Sequence, residues 1–411
     1  MKRYSEYKDS GVKWIGEIPG HWKICRTRYL CNINTGDKDT VMKEDNGKYP
    51  FYVRSPKIER INTFSYDGEA ILMAGDGVGA GKVFHYANGK FDYHQRVYNM
   101  HNICGVSGKF MFYFIRDQFH YAMEEKNAKS TVDSVRLPWL KAFPIAIPAQ
   151  EEQEAIVTYL DTKAAKIDEY ISIAEKKIAA LEELKQTIIT EAVTRGIHKD
   201  VPMKDSGVKW IGMIPEHWKM NSLRSYVKLY SEKNHPEKQL LSVTREMGVI
   251  VRNTESKEEN HNFIPDDLSG YKLVRKGDFV INKMKSWQGS YGVSKYEGIV
   301  SPAYYVCKLK FPYNDFFSIA IRCKSYVPFF TQYSKGIRVD QWDLSPIALK
   351  NIPFMEPPIT EQQEIVTYIE AKAAKIDQLC QAERSQIEKL KEYKQRLISD
   401  VVTGKVKVTN D

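Results

Sequence analysis

The chain has 411 residues, 42% of them hydrophobic and 27% charged, with 25 Tyr, 17 Phe and 7 Trp. That length exceeds one ordinary core, the aromatic content argues against disorder, and no run approaches the roughly 18 apolar residues of a membrane span. The formal charge is +9, and the six cysteines, at 25, 31, 104, 307, 323 and 380, have neither the density of a disulfide scaffold nor the pairing of a zinc site, so a cytoplasmic location is expected.

The first residues lead into no apolar run, so no secretory leader is expected. A block follows from Lys8 to Lys23, KDSGVKWIGEIPGHWK. Residues 24–147 then alternate extended patterns with Gly, Asn and Asp turns. Tyr49–Val53, Glu69–Ala74, Gly81–His85 and Gly108–Phe114 read as strands, with a short helix over 116–125. The run Gly75-Asp-Gly-Val-Gly-Ala-Gly81 superficially suggests a dinucleotide loop, but no long helix follows it. A tight turn with glycines at positive φ, whose amides can face a phosphate, is the expectation. Lys82 and His85 come next, then His94, Gln95 and Arg96. Gln and Arg can each address a base edge through two hydrogen bonds, while Lys suits phosphates.

From Glu151 to Val193 there is no Pro or Gly, and good helix formers dominate. Leu160, Ile167, Ala174, Leu181 and Ile188 recur every seven residues, with Ala164, Ile171, Ile178 and Ala192 as companions and Lys185 interrupting. That is a coiled-coil pattern, and about 40 residues at about 1.5 Å each make a helix of roughly 60 Å. Gly196 marks its end.

The opening block then recurs from Lys204 to Lys219, KDSGVKWIGMIPEHWK, matching fourteen of sixteen positions. In the second body Tyr271–Val274, Asp278–Ile281 and Ala303–Leu309 read as strands, with a helix over 314–323. The donor-rich stretch here is Lys283, Lys285, Ser286, Trp287, Gln288 and Tyr291. Ile365 to Asp377 repeats Ile156 to Asp168 within a second long helix, whose seams Glu383 and Lys394 break. The frame is thus repeated and the bodies differ, as expected if each body meets a different target through one mounting.

Residues 24–147 hold 17 Lys plus Arg against 13 Asp plus Glu, residues 220–357 hold 20 against 14, and residues 150–199 hold 7 against 10. Positive charge on the bodies rather than the connector would suit a phosphate backbone. No GxxxxGK[ST] run occurs, the only paired prolines (Pro357-Pro358) precede Ile rather than Tyr, and the nine histidines form no HExxH. No catalytic residue and no metal site is therefore expected.

Several segments together resemble the specificity subunits of type I restriction–modification enzymes. They are Trp14-Ile15-Gly16 with Ile18-Pro19 and His21-Trp22, and the same motifs at Trp210-Ile211-Gly212, Ile214-Pro215 and His217-Trp218. Pro148-Ala-Gln-Glu-Glu-Gln153, Pro358-Ile-Thr-Glu-Gln-Gln363, Asn282-Lys-Met-Lys-Ser-Trp-Gln-Gly289, Gly298-Ile-Val-Ser-Pro-Ala-Tyr304 and Leu397-Ile-Ser-Asp-Val-Val-Thr-Gly404 complete the set. The first body lacks a clear counterpart of the GIVSPAY block.

The resemblance implies an α+β chain in which two mixed α/β target-recognition domains are separated by two long antiparallel coiled-coil-like helices. It places the domains at 1–149 and 200–358, and the spacer helices with their tails at 150–199 and 359–411. It implies double-stranded DNA read as two half-sites, and two methyltransferase subunits using S-adenosylmethionine. Motor–nuclease subunits, where present, would use ATP with Mg2+, and this chain itself would hold no cofactor. A protein-interaction scaffold and an enzyme with an unfamiliar site are the competing readings.

Overall fold

A computed structural model describes residues 2–127, 134–253, 264–336 and 342–408. The chain divides into two compact units, Met1–Glu175 with Arg384–Asp411, and Lys176–Glu383. Two long helices, Gln150–Arg195 and Ile359–Val402, each contribute one half to each unit. Both are rich in strong helix formers and carry a seven-residue apolar repeat, so helix is favoured locally and rewarded by burial of the stripe.

In the first unit, Ile156, Leu160 and Ile167 of one helix share a buried core with Leu397, Val401 and Val402 of the other. Lys394 donates to Asp168 at 2.6 Å on the rim of that contact. In the second unit, Ala192 and Val193 share a core with Ile365, Val366 and Ile369. Lys185 meets Asp377 at 2.7 Å, and Lys177 meets Glu383. Rising numbers on one helix match falling numbers on the other, so the pairing is antiparallel and coiled-coil-like.

The frame is built alike in both units. Tyr7–Asp9 pairs with Glu17–Pro19, and Met203–Asp205 pairs with Met213–Pro215 in the same register. Lys23–Arg26 pairs with Pro144–Ile147, and Lys219–Ser222 with Pro353–Glu356. Trp22 and Trp218 are completely buried, and their indole N–H groups reach the first turn of a long helix at Glu152 (3.1 Å) and Glu361 (2.8 Å). His21 and His217 bond the same two carboxylates. Anionic side chains at a helix N-terminus also complement its dipole. The benzo edge of each indole lies beside the closing glycine of a long helix. A Cβ on Gly404 would stand 3.1 Å from Trp22, and one on Gly196 would stand 3.3 Å from Trp218.

The first body contains a six-stranded sheet. Its strands are β1 (Asn32–Thr35), β2 (Tyr49–Tyr52), β3 (Glu59–Ile61), β4 (Tyr66–Ala74), β5 (Phe84–Tyr93) and β6 (Val97–His101), in the spatial order β1-β6-β4-β5-β2-β3. All neighbours are antiparallel except β2 and β5. The extended segment expected from Gly81 begins later, at Phe84, because residues 81 and 82 complete the glycine turn.

The segment Gly108–Phe114 is not a strand. It opens a helix, Gly108–Asn127, that also takes in the short helix expected over 116–125. The aromatic run suits a strand by composition, but Phe110, Met111, Phe114, Ile115, Phe119, Ala122 and Met123 are buried at helical spacing against the sheet. Burying each large apolar side chain contributes about 1.5–3 kcal/mol, which overrides a propensity difference within about 1 kcal/mol.

The second body is built differently. Among the described residues its largest sheet has four strands, β7 (Val227–Tyr230), β8 (Phe279–Ile281), β9 (Tyr291–Val293) and β10 (Tyr305–Leu309), in the order β7-β10-β8-β9. Helices Asn314–Arg322 and Val327–Tyr333 cover it through Phe316, Phe317, Ala320, Ile321, Phe329 and Phe330.

Candidate nucleic-acid interface

In the first body the glycine turn after β4 and the β5–β6 turn lie side by side. Gly75 N–H donates to the Arg96 carbonyl at 2.8 Å, and His94 N–H donates to Tyr52 at 3.0 Å. Gly77 and Gly81 have φ near +70°, a conformation that disfavours other residues. His94 is buried, and its Nδ1 accepts the Arg96 N–H at 2.9 Å, so that nitrogen carries no proton. Burial, and then the Arg54 charge, hold the His94 pKa below the ordinary histidine value.

Gln95 and Arg96 are exposed beside it. Gln95 Nε2 donates to Asp39 at 3.1 Å, and Arg96 Nε lies 3.6 Å from Asp76. Arg54 Nη1 donates to the other oxygen of Asp76 at 3.0 Å. His85 stands half-buried on β5, with Nε2 3.2 Å from the Ser55 carbonyl and its ring 5.1 Å from Tyr52. Burial lowers its pKa as well. Lys82 is exposed at the end of the glycine turn.

In the second body the loop between β8 and β9 is closed by Asn282 N–H to Ser290 O at 3.0 Å, and turns at Gly289 with φ +96°. Ser286 is fully buried and bonds the Lys283 carbonyl at 3.2 Å. Tyr291 is 1% exposed and stacks on Phe330 at 3.8 Å. Both therefore hold the loop from beneath and present no side chain to solvent. Burial raises the Tyr291 pKa far above the usual phenol range. Lys283 donates to Asp343 at 2.9 Å, which raises its pKa. Trp287 bonds the Met284 carbonyl at 3.1 Å and packs 5.4 Å from Trp342. Lys285 is exposed, and Gln288 is half-buried.

The structure thus gathers His94, Gln95 and Arg96 at one edge, and Lys283, Lys285, Trp287 and Gln288 on one loop. Sequence reasoning missed Arg54, Asp39 and Asp76 in the first body, and Trp342 with Asp343 in the second. Asp76 lies inside the glycine run and Arg54 just after a strand, but nothing in their spacing announces that they meet.

Burial pushes the Cys31 and Cys307 thiols up to about 12 and Cys323 up to about 11, which keeps them protonated and unreactive at neutral pH. Among the described residues no group of three or more His, Cys, Asp or Glu could hold a metal ion, and no helix is long and apolar enough to cross a membrane.

Residues 19–183 match the family model of the type I restriction modification DNA specificity domain. The chain is 22% identical over 418 residues to the EcoDI specificity subunit of Escherichia coli, covering 95% of this chain and 90% of that one. It is 23% identical to the MjaVIII specificity subunit of Methanocaldococcus jannaschii, over 98% of each chain. Residues 19–183 are thus similar to the specificity domain, and the whole chain is similar over nearly its full length to two specificity subunits.

Its fold agrees with solved structures. A chain from a structure on complex assembly and conformational transition of the type I R-M system superposes with TM-score 0.65 at 14% identity, over 94% of this chain and 98% of that one. The HsdS subunit from Thermoanaerobacter tengcongensis gives TM-score 0.50 at 14% identity, over 95% and 98%.

Proposed function

We propose that each of the two bodies reads one half of a bipartite DNA target, and that the long helices set the gap between half-sites and dock methyltransferase subunits. In this reading residues 1–149 and 200–358 are the target-recognition domains, and 150–199 and 359–411 are the spacers. The observation that carries it is the contrast between mounting and body. The Trp22–Glu152 joint is repeated as Trp218–Glu361, while one mounting holds a six-stranded sheet and the other a four-stranded one. A duplicated enzyme would be expected to keep its reacting groups in both copies; here the constant part is mechanical.

Lysines and arginines would hold phosphates, a salt-dependent contribution without sequence information. Loop side chains of each body, among them Gln95, Arg96, Lys285, Trp287 and Gln288, would discriminate base pairs in the groove. Methyltransferase partners, supplied with S-adenosylmethionine, would flip the target adenine out of the stack, since modifying a base requires its extrusion. Motor–nuclease partners would add ATP-dependent cleavage where they exist.

Selection of duplexes from a random library by the full chain together with methyltransferase subunits tests this. Two short enriched blocks at constant separation are expected, in binding that weakens steeply with salt. A single uninterrupted block, or no enrichment, would refute it.

A further inference from the structure

We propose that Arg54 and Arg96, which flank the carboxylate of Asp76, are a guanine-reading pair of the first body; this rests on the DNA-reading function proposed above. Arg54 Nη1 lies 3.0 Å from Asp76 Oδ1, and Arg96 Nε lies 3.6 Å from Oδ2. The two arginine side chains are 46% and 64% exposed and the carboxylate is 28% exposed. Ion pairs this open contribute little to stability, so folding alone does not account for the arrangement.

Its physical consequence is orientation. A guanidinium is a rigid planar fork, and the hydrogen bond to Asp76 restricts the plane of Arg54 before any ligand arrives, while Arg96 is drawn to the same carboxylate by charge. Asp76 engages Nη1 of Arg54, which leaves the edge formed by Nε and Nη2. Arg96 turns its Nε toward Asp76 at 3.6 Å, an ion pair without a hydrogen bond, which leaves the two terminal nitrogens. Among the described residues neither guanidinium has another side-chain hydrogen bond or ion pair. Each arginine therefore keeps one edge of two parallel donors. That edge matches two acceptors set side by side, as O6 and N7 of guanine are in the major groove, whereas adenine offers a donor in place of O6.

The backbones behind the pair are tied down as well. Arg96 N–H bonds His94 Nδ1, and its carbonyl accepts from Gly75. A Cβ on Gly79 would stand 2.5 Å from the Arg54 carbonyl, and one on Gly77 would stand 3.8 Å from its Nη1. The glycine turn thus lets its backbone close around Arg54. Asp76 is the positioning residue.

A phosphate also offers two acceptors to such an edge, and the test separates the two. The full chain, assembled with methyltransferase subunits, is used to select duplexes from a random library, with Arg54→Gln, Arg96→Gln, Arg96→Lys and Asp76→Asn compared with the unaltered chain. Each arginine variant is expected to lower the preference for guanine at one position of one block by about 10- to 100-fold, leaving the other block unchanged. Arg96→Lys keeps the charge and loses the fork, so affinity should persist while the preference goes. Asp76→Asn should relax the same positions. Thermal unfolding of each variant checks that it is folded. Unchanged sequence preference, with uniformly weaker binding and a salt slope reduced by about one, would assign the arginines to phosphates and overturn the proposal. Unchanged binding in every variant would overturn it too. Absence of any preference in the unaltered chain would instead refute the function above, and this assignment with it.

Discussion

His94 illustrates how a single side chain positions others. It is buried, and its unprotonated Nδ1 holds the Arg96 amide, so its work resembles that of an Asx turn. His94→Leu leaves that amide without its acceptor and should cost about 1–3 kcal/mol in denaturant unfolding, whereas His94→Asn, which can supply an oxygen, should cost less. The pH dependence has a definite sign. The folded pKa is depressed by burial, so the native state favours the neutral ring, and below about pH 6.5 the unfolded chain takes up a proton that the native state resists. This contribution to stability is complete above that value and is lost as pH falls through the folded pKa. The loss of stability on acidification should therefore be shallower in His94→Asn, which a Tm series from pH 7.5 to 5 measures. A slope equal to that of the unaltered chain would show that His94 does not titrate in this way. Glu152 belongs to the same scale. It accepts from Trp22, His21 and Tyr4, so Glu152→Ala strands a buried indole N–H and should cost about 1–3 kcal/mol, read as a fall in Tm.

Among the elements, the long helices were legible because composition, periodicity and a terminal glycine all agree. The helix from Gly108 was misread because a dense aromatic run satisfies a strand and a buried helix equally; only the burial of every third or fourth residue decides. The helix ends invite a direct test. Gly404 has φ +73°, and a Cβ there would stand 2.4 Å from the Pro19 ring, whereas Gly16 has φ +70° with nothing within 4 Å. Both substitutions by alanine meet the backbone penalty of about 1 kcal/mol or more, so Gly404→Ala should be the more damaging by the clash alone. Equal Tm losses would mean that the close approach at Pro19 relaxes freely. The lysines that break the seams also have a role. Lys185 and Asp377 occupy the positions that Lys394 and Asp168 occupy in the other copy, so each helix offers one cation and one anion to its partner. Lys185→Asp should cost about 0.2–1 kcal/mol, and adding Asp377→Lys should restore most of it, a coupling that a double-mutant cycle reads.

At the scale of the whole molecule, the duplication of the frame was visible in the sequence, because the Trp, Glu and Gly that lock each joint recur at nearly constant offsets. What was not visible is which partners they would take. Trp22 meets Glu152 and the region of Gly404, residues that only long-range packing brings to it. The same holds for the candidate interface: Arg54, Asp76 and Arg96 lie on three separate turns, and sheet register rather than spacing brings them together. Ser286 and Tyr291 are buried beneath their loop, and burial cannot be read from a loop's composition.

The modular reading makes one demand above the rest. Exchanging residues 24–147 for the corresponding body of another such subunit, and then mapping the sequences that the methyltransferase complex modifies, should change one block of the target and leave the second block and their separation intact. A change in both blocks, or in neither, would contradict the division of reading between the two bodies.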